Sequence, residues 1–392
     1  MKSPKDIVIV AAKRSPFGAF GGALAKKSST MMAVDIAPAL FAQAGIGASL
    51  ADATVMGNVI QSTSDSAYLA RHVGLKAGLP ISHHALTVNR LCGSGFEAVA
   101  QAAKFLRAGE AELILAGGSE SMSLVPFALT KARFGYRMGH GEVEDLLSAG
   151  LTDQHVKLPM AITAENLAEQ YKISREECDA YALESQGRAT AAWERGDFAD
   201  EVAPLPELAK DEHPRPNATL EGLAKLKPVF KADGVVTAGN ASGMVDGAAL
   251  LLVCTRDYAE KKNLKPLATV LGWAAAGCDP KVMGIGPVPA TQKLLANLSR
   301  ENLAQKTSDF DLVEVNEAFA PQYLAVEREL GLDRKKTNVC GGAIAIGHPL
   351  GATGARLVGH LVYALRRRGG GLGLATACIG GGQGMSVAIR AE

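Results

Sequence analysis

The chain has 392 residues, 47% of them apolar and 21% charged, with 41 Lys and Arg against 40 Asp and Glu. That length holds two or three domains with full cores, and the composition is that of a globular chain, not a disordered one. The near balance of charge gives no electrostatic footing for nucleic acid or an anionic membrane surface. No run of about 18 uninterrupted apolar residues is present, so no membrane-spanning helix is expected.

In chain order, residues 6–12 (DIVIVAA) form a short β-branched run that reads as a first strand, not as a signal peptide. A helix over 31–44, a strand over 54–60, a helix over 66–77 and a strand over 85–88 follow. Residues 89–95 (NRLCGSG) then turn into a helix over 96–108 with Gly109 at its C-cap, and a strand over 112–116 ends in Gly117-Gly118. This alternation predicts βαβ units and a mostly parallel sheet covered on both faces. Residues 120–245 break the rhythm with a helix over 163–171 and a longer one after Ser174. Ser174 and Glu177 form a capping box, and the polar stretch 204–216 carries several prolines. The region reads as an insertion lying over the sheet and lining a site. Strand and helix signals resume with strands at 248–254, 266–271 and 311–315 and a helix over 290–298. After residues 338–342 come a helix over 351–368 and strands at 373–377 and 386–390. The two ends look like one plan used twice: Cys92-Gly-Ser-Gly, helix, strand, Gly-Gly against Gly351-Ala-Thr-Gly, helix, strand, Cys378. The expected fold is α/β, with duplicated βαβ halves in layers and an inserted loop region over the active site. The expected division is 1–119 for the first part of the N-terminal half and 120–245 for the insertion. Residues 246–270 end that half and cross over, and 271–392 form the C-terminal half.

The six cysteines form no C-x-x-C pair and the eight histidines show no ligand spacing around them, so neither a disulfide framework nor a metal site is expected. Reduced thiols point to the cytoplasm, with the mitochondrial matrix as the alternative. Four segments carry chemistry. Cys92 sits on a small-residue turn at a helix start, where unpaired N–H groups favour thiolate over thiol. His348, in Gly347-His348-Pro349-Leu350-Gly351, is suited to take a thiol proton, although a histidine in such a turn is more often a surface residue. Cys378 precedes Gly380-Gly381-Gly382, whose N–H groups could hold an oxyanion; alone it reads as a core cysteine before a hairpin. Asn316, in Val315-Asn316-Glu317-Ala318-Phe319, is either a helix N-cap or a strand-end group holding a water or carbonyl. The glycine run does not fit G-x-G-x-x-G after a first strand, which removes support for a dinucleotide fold.

Together these segments resemble the thiolase family: 89–95 (NRLCGSG), 236–246 (VTAGNASGMVD), 316–320 (NEAFA), 341–356 (GGAIAIGHPLGATGAR) and 378–384 (CIGGGQG), in the family's order and over essentially the whole chain. The resemblance implies cleavage of a 3-ketoacyl-CoA by CoA, and the reverse Claisen condensation, through an acyl group held covalently on Cys92. By resemblance His348 accepts the Cys92 proton and Cys378 moves the second proton. Asn316, through a water and with His348, stabilises the enolate oxygen, and the N–H groups of Cys92 and Gly380 form the other oxyanion hole. Arg215, Phe230, Ala241, Ser242 and Met283, with Met160 and Phe319 near the reacting centre, match positions that contact substrate and CoA. Arg215 could equally be a solvated loop residue, and Phe230, Ala241 and Met283 ordinary core residues. Acyl-CoA, acetyl-CoA and CoA are the expected partners, with CoA as substrate and product, no permanently bound cofactor, and a homodimer or homotetramer as the assembly. Residues 158–161 (LPMA) have Pro159 where short-chain biosynthetic members carry His, and look more like the mitochondrial-type degradative branch. The alternatives are a short-chain acetoacetyl-CoA thiolase, a ketoacyl synthase, which Cys378 disfavours, and a silent acyl-CoA or lipid carrier.

Overall fold

The computed structural model describes residues 3–392. Nine strands carry the architecture: β1 Ile7–Arg14, β2 Ala53–Gly57, β3 His84–Val88, β4 Leu113–Glu120, β5 Val245–Thr255, β6 Ala268–Gly277, β7 Leu312–Val315, β8 Gly371–Ile379 and β9 Gln383–Ala391. They lie in the order β7-β8-β9-β6-β1-β5-β4-β2-β3, and a two-residue strand, Gly18–Ala19, adds to β5.

The duplication is visible in this order. In the first half β1 pairs antiparallel with β5 and β5 antiparallel with β4, while β4–β2 and β2–β3 are parallel. In the second half β6–β9 and β9–β8 are antiparallel and β8–β7 is parallel, and a parallel bridge from Val313 to Thr337 stands where β3 stands in the first. The halves join where Ile7, Val8 and Ile9 of β1 pair with Val270, Thr269 and Ala268 of β6. The expected mostly parallel sheet is therefore corrected to a mixed one. The pattern of apolar residues reports which faces are buried, and both faces are buried here, but it carries no information on strand direction. Direction is set by the connections: Gly380, Gly381 and Gly382 make a tight hairpin between β8 and β9, with φ of 79° and 76° at the last two.

Alternate residues of each strand feed different cores. Ile7, Ile9, Ile114, Ala116, Leu251 and Val253 face an inner core with Phe96, Val99, Leu357, Val358 and Leu361 from the helices Ser94–Ala108 and Thr353–Arg366. Val8, Val10, Leu113, Leu115, Leu250 and Leu252 face an outer core with the helices Ser29–Ala44 and Leu69–Ala77. Leu374 and Ala388 face the other outer core, with Pro287–Arg300, Ala320–Leu330 and helix residues of the insertion such as Leu167 and Tyr181. Full burial of a Phe96 or Leu357 side chain contributes roughly 1.5–3 kcal/mol. The result is helix, sheet, helix pair, sheet, helix. The two inner helices cross so closely that a Cβ on Gly354 would lie 2.2 Å from the Phe96 nitrogen. This contact brings both helix N-termini, one following Cys92 and one following His348, to the same place.

Residues 121–244, between β4 and β5, contain the helices Met160–Tyr171 and Arg175–Arg195, the second with the capping box of Ser174 and Glu177 in place. Among the described residues no helix is long and apolar enough to cross a membrane, and no group of three or more His, Cys, Asp or Glu is placed to hold a metal ion.

Candidate active site

Cys92 follows β3 on a turn built by its own neighbours. Asn89 Oδ1 accepts from the Leu91 N–H at 2.9 Å, Ser94 Oγ accepts from the Arg90 N–H at 2.8 Å, and the Ser94 hydroxyl donates to the Leu91 carbonyl at 2.7 Å. These bonds hold Leu91 at φ 48°, a region non-glycine residues rarely occupy, and present the thiol ahead of the Ser94–Ala108 helix. The Cys92 N–H and the Gly380 N–H both bond toward the sulfur, yet burial outweighs them and, with the nearby Glu120 charge, pushes the thiol up to about 11. The helix start therefore does not by itself leave Cys92 ionised. Helix-start N–H groups are present, but desolvation of the charge is the larger effect, so the proton must be taken by a base.

The candidate for that base is His348, buried at 5% exposure. Its Nδ1 lies 2.6 Å from the Thr353 hydroxyl, which donates to the Pro349 carbonyl at 3.0 Å, and its Nε2 lies 3.4 Å from the Asn316 amide nitrogen. Burial, and then the Arg356 charge, draw its pKa down to about 3, so the ring is neutral. Asn316 directly follows β7 and is fully buried. It does not cap the next helix, where Phe319 occupies the N-cap position, and its Oδ1 has no protein partner. A buried amide oxygen without a partner beside an imidazole is the kind of place a water or substrate oxygen fills.

Cys378, near the end of β8, is fully buried. Burial, and then the neighbouring Cys92 and Cys278 sulfurs, hold its thiol far above the ordinary thiol value. It shares a small apolar cluster with Met283 and Ala318, against which Met160 and Phe319 pack. Gly380 faces Leu91 and Met160: a Cβ there would lie 3.1 Å from Leu91 Cδ1 and 3.4 Å from Met160 Sδ. Met283 is 2% exposed and thus lies in the floor beside Cys378. Leu350, two residues beyond His348, joins Met122 and Leu147 in an apolar cluster against which Cys92, Val59 and Ile60 pack.

The insertion residues lie further out. Arg215 is exposed, with its N–H donating to Gln186 Oε1 and its carbonyl accepting from the Ala218 N–H, and Phe230 is half exposed. Ala241 bridges to Phe319, and the Ser242 N–H donates to the Ala318 carbonyl, which sets this segment along the rim beside the Cys378 cluster. The structure therefore brings Cys92, His348, Asn316, Cys378, Gly380, Met160, Met283 and Phe319 into one neighbourhood, with Ala241 and Ser242 at its edge.

Four supports were not singled out from the sequence. Glu120, fully buried at the end of β4, accepts the N–H groups of Val59, Ile60 and Gly351 and the Asn58 amide, and burial pushes its carboxyl up to about 7. Glu317 accepts from the Tyr181 and Ser185 hydroxyls, the Asn338 amide and the Ile344 N–H, which pins the loop leading to His348. Thr353 and Arg356 act on His348 itself. A carboxylate directly after an apolar strand, as in Ser119-Glu120 and Asn316-Glu317, was the available signal.

The chain is similar to known proteins over its whole length. Residues 7–257 match the family model for the thiolase N-terminal domain and residues 264–391 that for the thiolase C-terminal domain. The chain belongs to the thiolase family and is an acyltransferase. It is 53% identical over 395 residues to the mitochondrial 3-ketoacyl-CoA thiolase of Homo sapiens, covering 98% of each chain. It is 45% identical to the acetyl-CoA acetyltransferase of Chromobacterium violaceum, covering 98% of this chain and 99% of that one. The crystal structure of human mitochondrial 3-ketoacyl-CoA thiolase in complex with CoA superposes with a TM-score of 0.96 at 52% identity, covering 100% of this chain and 99% of that one.

Proposed function

We propose that this thiolase cleaves 3-ketoacyl-CoA with CoA, the degradative direction being the favoured one, and runs the reverse condensation on the same groups. The observation that carries the reading is the convergence of two thiols, Cys92 and Cys378, with a neutral buried His348 backed by Asn316. In cleavage, His348 Nε2 takes the Cys92 proton and the thiolate attacks the 3-keto carbon. The C2–C3 bond breaks, leaving the acyl group on sulfur and an enolate of acetyl-CoA whose oxygen is met by the protonated His348 and, through a water, by Asn316. Cys378 gives its proton to C2 to complete acetyl-CoA. It then takes the thiol proton of incoming CoA, which removes the acyl group from Cys92 as the shortened acyl-CoA. The N–H groups of Cys92 and Gly380 hold the oxyanion formed on the Cys92-bound carbon, each such donor being worth roughly 2.7–4 kcal/mol of barrier. Arg215 and Phe230 receive the nucleotide end of CoA, and Ala241, Ser242, Met160, Met283 and Phe319 line the path of its pantetheine arm.

The apolar wall of Met122, Leu147, Leu350, Val59 and Ile60 beside Cys92, with Pro159 ahead of Met160, suits acyl tails longer than acetyl. Turnover followed by loss of the acetoacetyl-CoA enolate absorbance, then over a series of 3-ketoacyl lengths, tests this. Activity confined to the four-carbon substrate would favour the short-chain biosynthetic reading, and none at all the silent carrier. Mass spectrometry after acetyl-CoA exposure is expected to find one acetyl group, on Cys92.

The assembly is a homodimer, or a tetramer of two dimers. β3 ends the sheet with an unpaired edge, beside which Leu86, Val88 and Phe105 are only half buried, and such an edge is a ready template for a second copy. A monomer mass by light scattering would overturn this. Six free thiols suit a reducing compartment, the cytoplasm or the mitochondrial matrix, the similar human enzyme being mitochondrial.

A further inference from the structure

We infer that Thr353 is a positioning residue: its hydroxyl fixes the tautomer and the plane of His348 so that Nε2, and not Nδ1, is the nitrogen free to take the Cys92 proton. This inference rests on the thiolase reading above and adds to it a residue that touches neither substrate nor sulfur.

The argument starts from how many protons a hydroxyl has. Thr353 is 1% exposed, and its Oγ1 has two neighbours: the Pro349 carbonyl at 3.0 Å and His348 Nδ1 at 2.6 Å. A carbonyl can only accept, so the single hydroxyl proton is directed there, and a lone pair faces the ring. With the hydroxyl proton on that carbonyl, the 2.6 Å contact makes Nδ1 the donor. On the other side Nε2 meets the Asn316 amide nitrogen at 3.4 Å, a donor, which requires Nε2 to be bare. Both contacts select the same neutral tautomer, and each alone would leave it open.

The placement is also rigid. Thr353 opens the helix Thr353–Arg366, and its N–H, with that of Ala352, donates to the same Pro349 carbonyl. The helix in turn is locked against its neighbour where a Cβ on Gly95 would lie 2.5 Å from the Ala355 nitrogen. The ring plane is thus referred to the inner helix pair, the same pair whose other member follows Cys92. One turn along, Arg356 pairs with Glu314 at 3.3 Å and leaves Nε and Nη2 without partners, so its charge stays uncompensated enough to oppose an imidazolium at rest. With the tautomer fixed and the cation disfavoured, the ring is held as a neutral base with Nε2 bare.

The experiment compares full-length Thr353→Val, which keeps the shape and removes the oxygen, with Thr353→Ser, which keeps the oxygen. Two readouts are taken: the rate of Cys92 acetylation by acetyl-CoA, and the pH profile of Cys92 alkylation by iodoacetamide, which requires no thiolase chemistry. Expected for Thr353→Val is a loss of roughly 10- to 100-fold in acetylation rate, by analogy with loss of other groups that orient a histidine, with KM for acetyl-CoA unchanged and the alkylation profile altered. Thr353→Ser is expected to stay within about threefold of the natural protein in both. The inference is overturned if Thr353→Val keeps the natural rate and profile, and equally if Thr353→Ser is as slow as Thr353→Val, since that would make the methyl group and packing the cause. If the natural protein alkylates at Cys92 but is never acetylated there, the thiolase reading falls, while the alkylation profiles still decide the role of Thr353.

Discussion

A thiol pushed up to about 11 is almost wholly protonated at neutral pH; at pH 8 only about one molecule in a thousand would carry thiolate without help from a base. The free enzyme should therefore alkylate at Cys92 at a rate that keeps rising, about tenfold per pH unit, from pH 8 toward 10 once His348 is replaced by Asn. A plateau below pH 9 in that variant would show that the turn itself activates the sulfur. The same substitution has a stability consequence. His348 is lowered from 6.5 to about 3 in the fold, so between these values the unfolded chain binds a proton that the folded one refuses. That penalty is absent above about pH 6.5 and grows as pH falls toward 3, by up to about 1.4 kcal/mol per unit. His348→Asn should accordingly flatten the acid side of the stability curve, read as denaturant midpoints against pH. Equal slopes for the two proteins would refute it. The candidate reacting residues were legible because each sits in a short block that resembles a thiolase motif. Glu120 was not, because its partners Asn58, Val59, Ile60 and Gly351 come from distant parts of the chain; Thr353 was not, because its contact with His348 exists only once the turn of residues 348–353 is folded.

At the scale of elements, the loop carrying His348 is held by a carboxylate rather than by regular structure. Glu317 accepts four hydrogen bonds, from the Tyr181 and Ser185 side chains at 2.6 and 2.7 Å and from Asn338 and the Ile344 N–H at 2.9 and 3.1 Å. Tyr181 is itself fixed by stacking on Tyr323, with ring centroids 4.0 Å apart. Glu317→Gln puts an NH2 where donors already converge, so at least one buried donor loses its acceptor. A cost of about 2–4 kcal/mol is expected, together with a drop in kcat larger than any change in KM, measured by denaturant unfolding and steady-state rates. The inner helix crossing gives a second test of this kind. Gly354→Ala places a Cβ against the Phe96 backbone and should cost roughly 1–3 kcal/mol while lowering kcat, since both reactive turns hang on that crossing. Full activity in a folded Gly354→Ala protein would contradict this coupling. The elements themselves were largely readable: the capping box at Ser174 and the apolar faces of the inner helices follow from side-chain spacing alone. The antiparallel half of the sheet was not, because β5 arrives after more than a hundred residues of insertion and its direction is decided by where that excursion ends.

At the scale of the whole molecule, one chain of buried charges crosses the boundary between the halves. Arg14 of β1 pairs with Glu201 of the insertion at 2.8 Å and with Asp211 at 2.7 Å. Glu201 pairs in turn with His360 of the inner helix at 2.7 Å, and beyond it Glu314 of β7 lies between His360 and Arg356. Burial works against the Glu201 charge, but His360 and Arg14 outweigh it and draw its carboxyl down to about 2, while Glu201 and Glu314 hold His360 well above its ordinary value despite burial. The Glu201 contribution is therefore present above about pH 4.5 and is lost as pH falls toward 2. Removing its charge at neutral pH takes one of two carboxylate partners from each of Arg14, which keeps Asp211, and His360, which keeps Glu314, so the cost is expected to stay below the roughly 3–5 kcal/mol of a fully broken buried pair. The decisive measurement is a double-mutant cycle of Glu201→Gln and His360→Gln by denaturant unfolding at pH 7. If the pair acts as a unit, the double variant is more stable than the sum of the single losses predicts, by at least about 1 kcal/mol. Simple additivity would mean that the two residues stabilise the junction between insertion, sheet and inner helix separately.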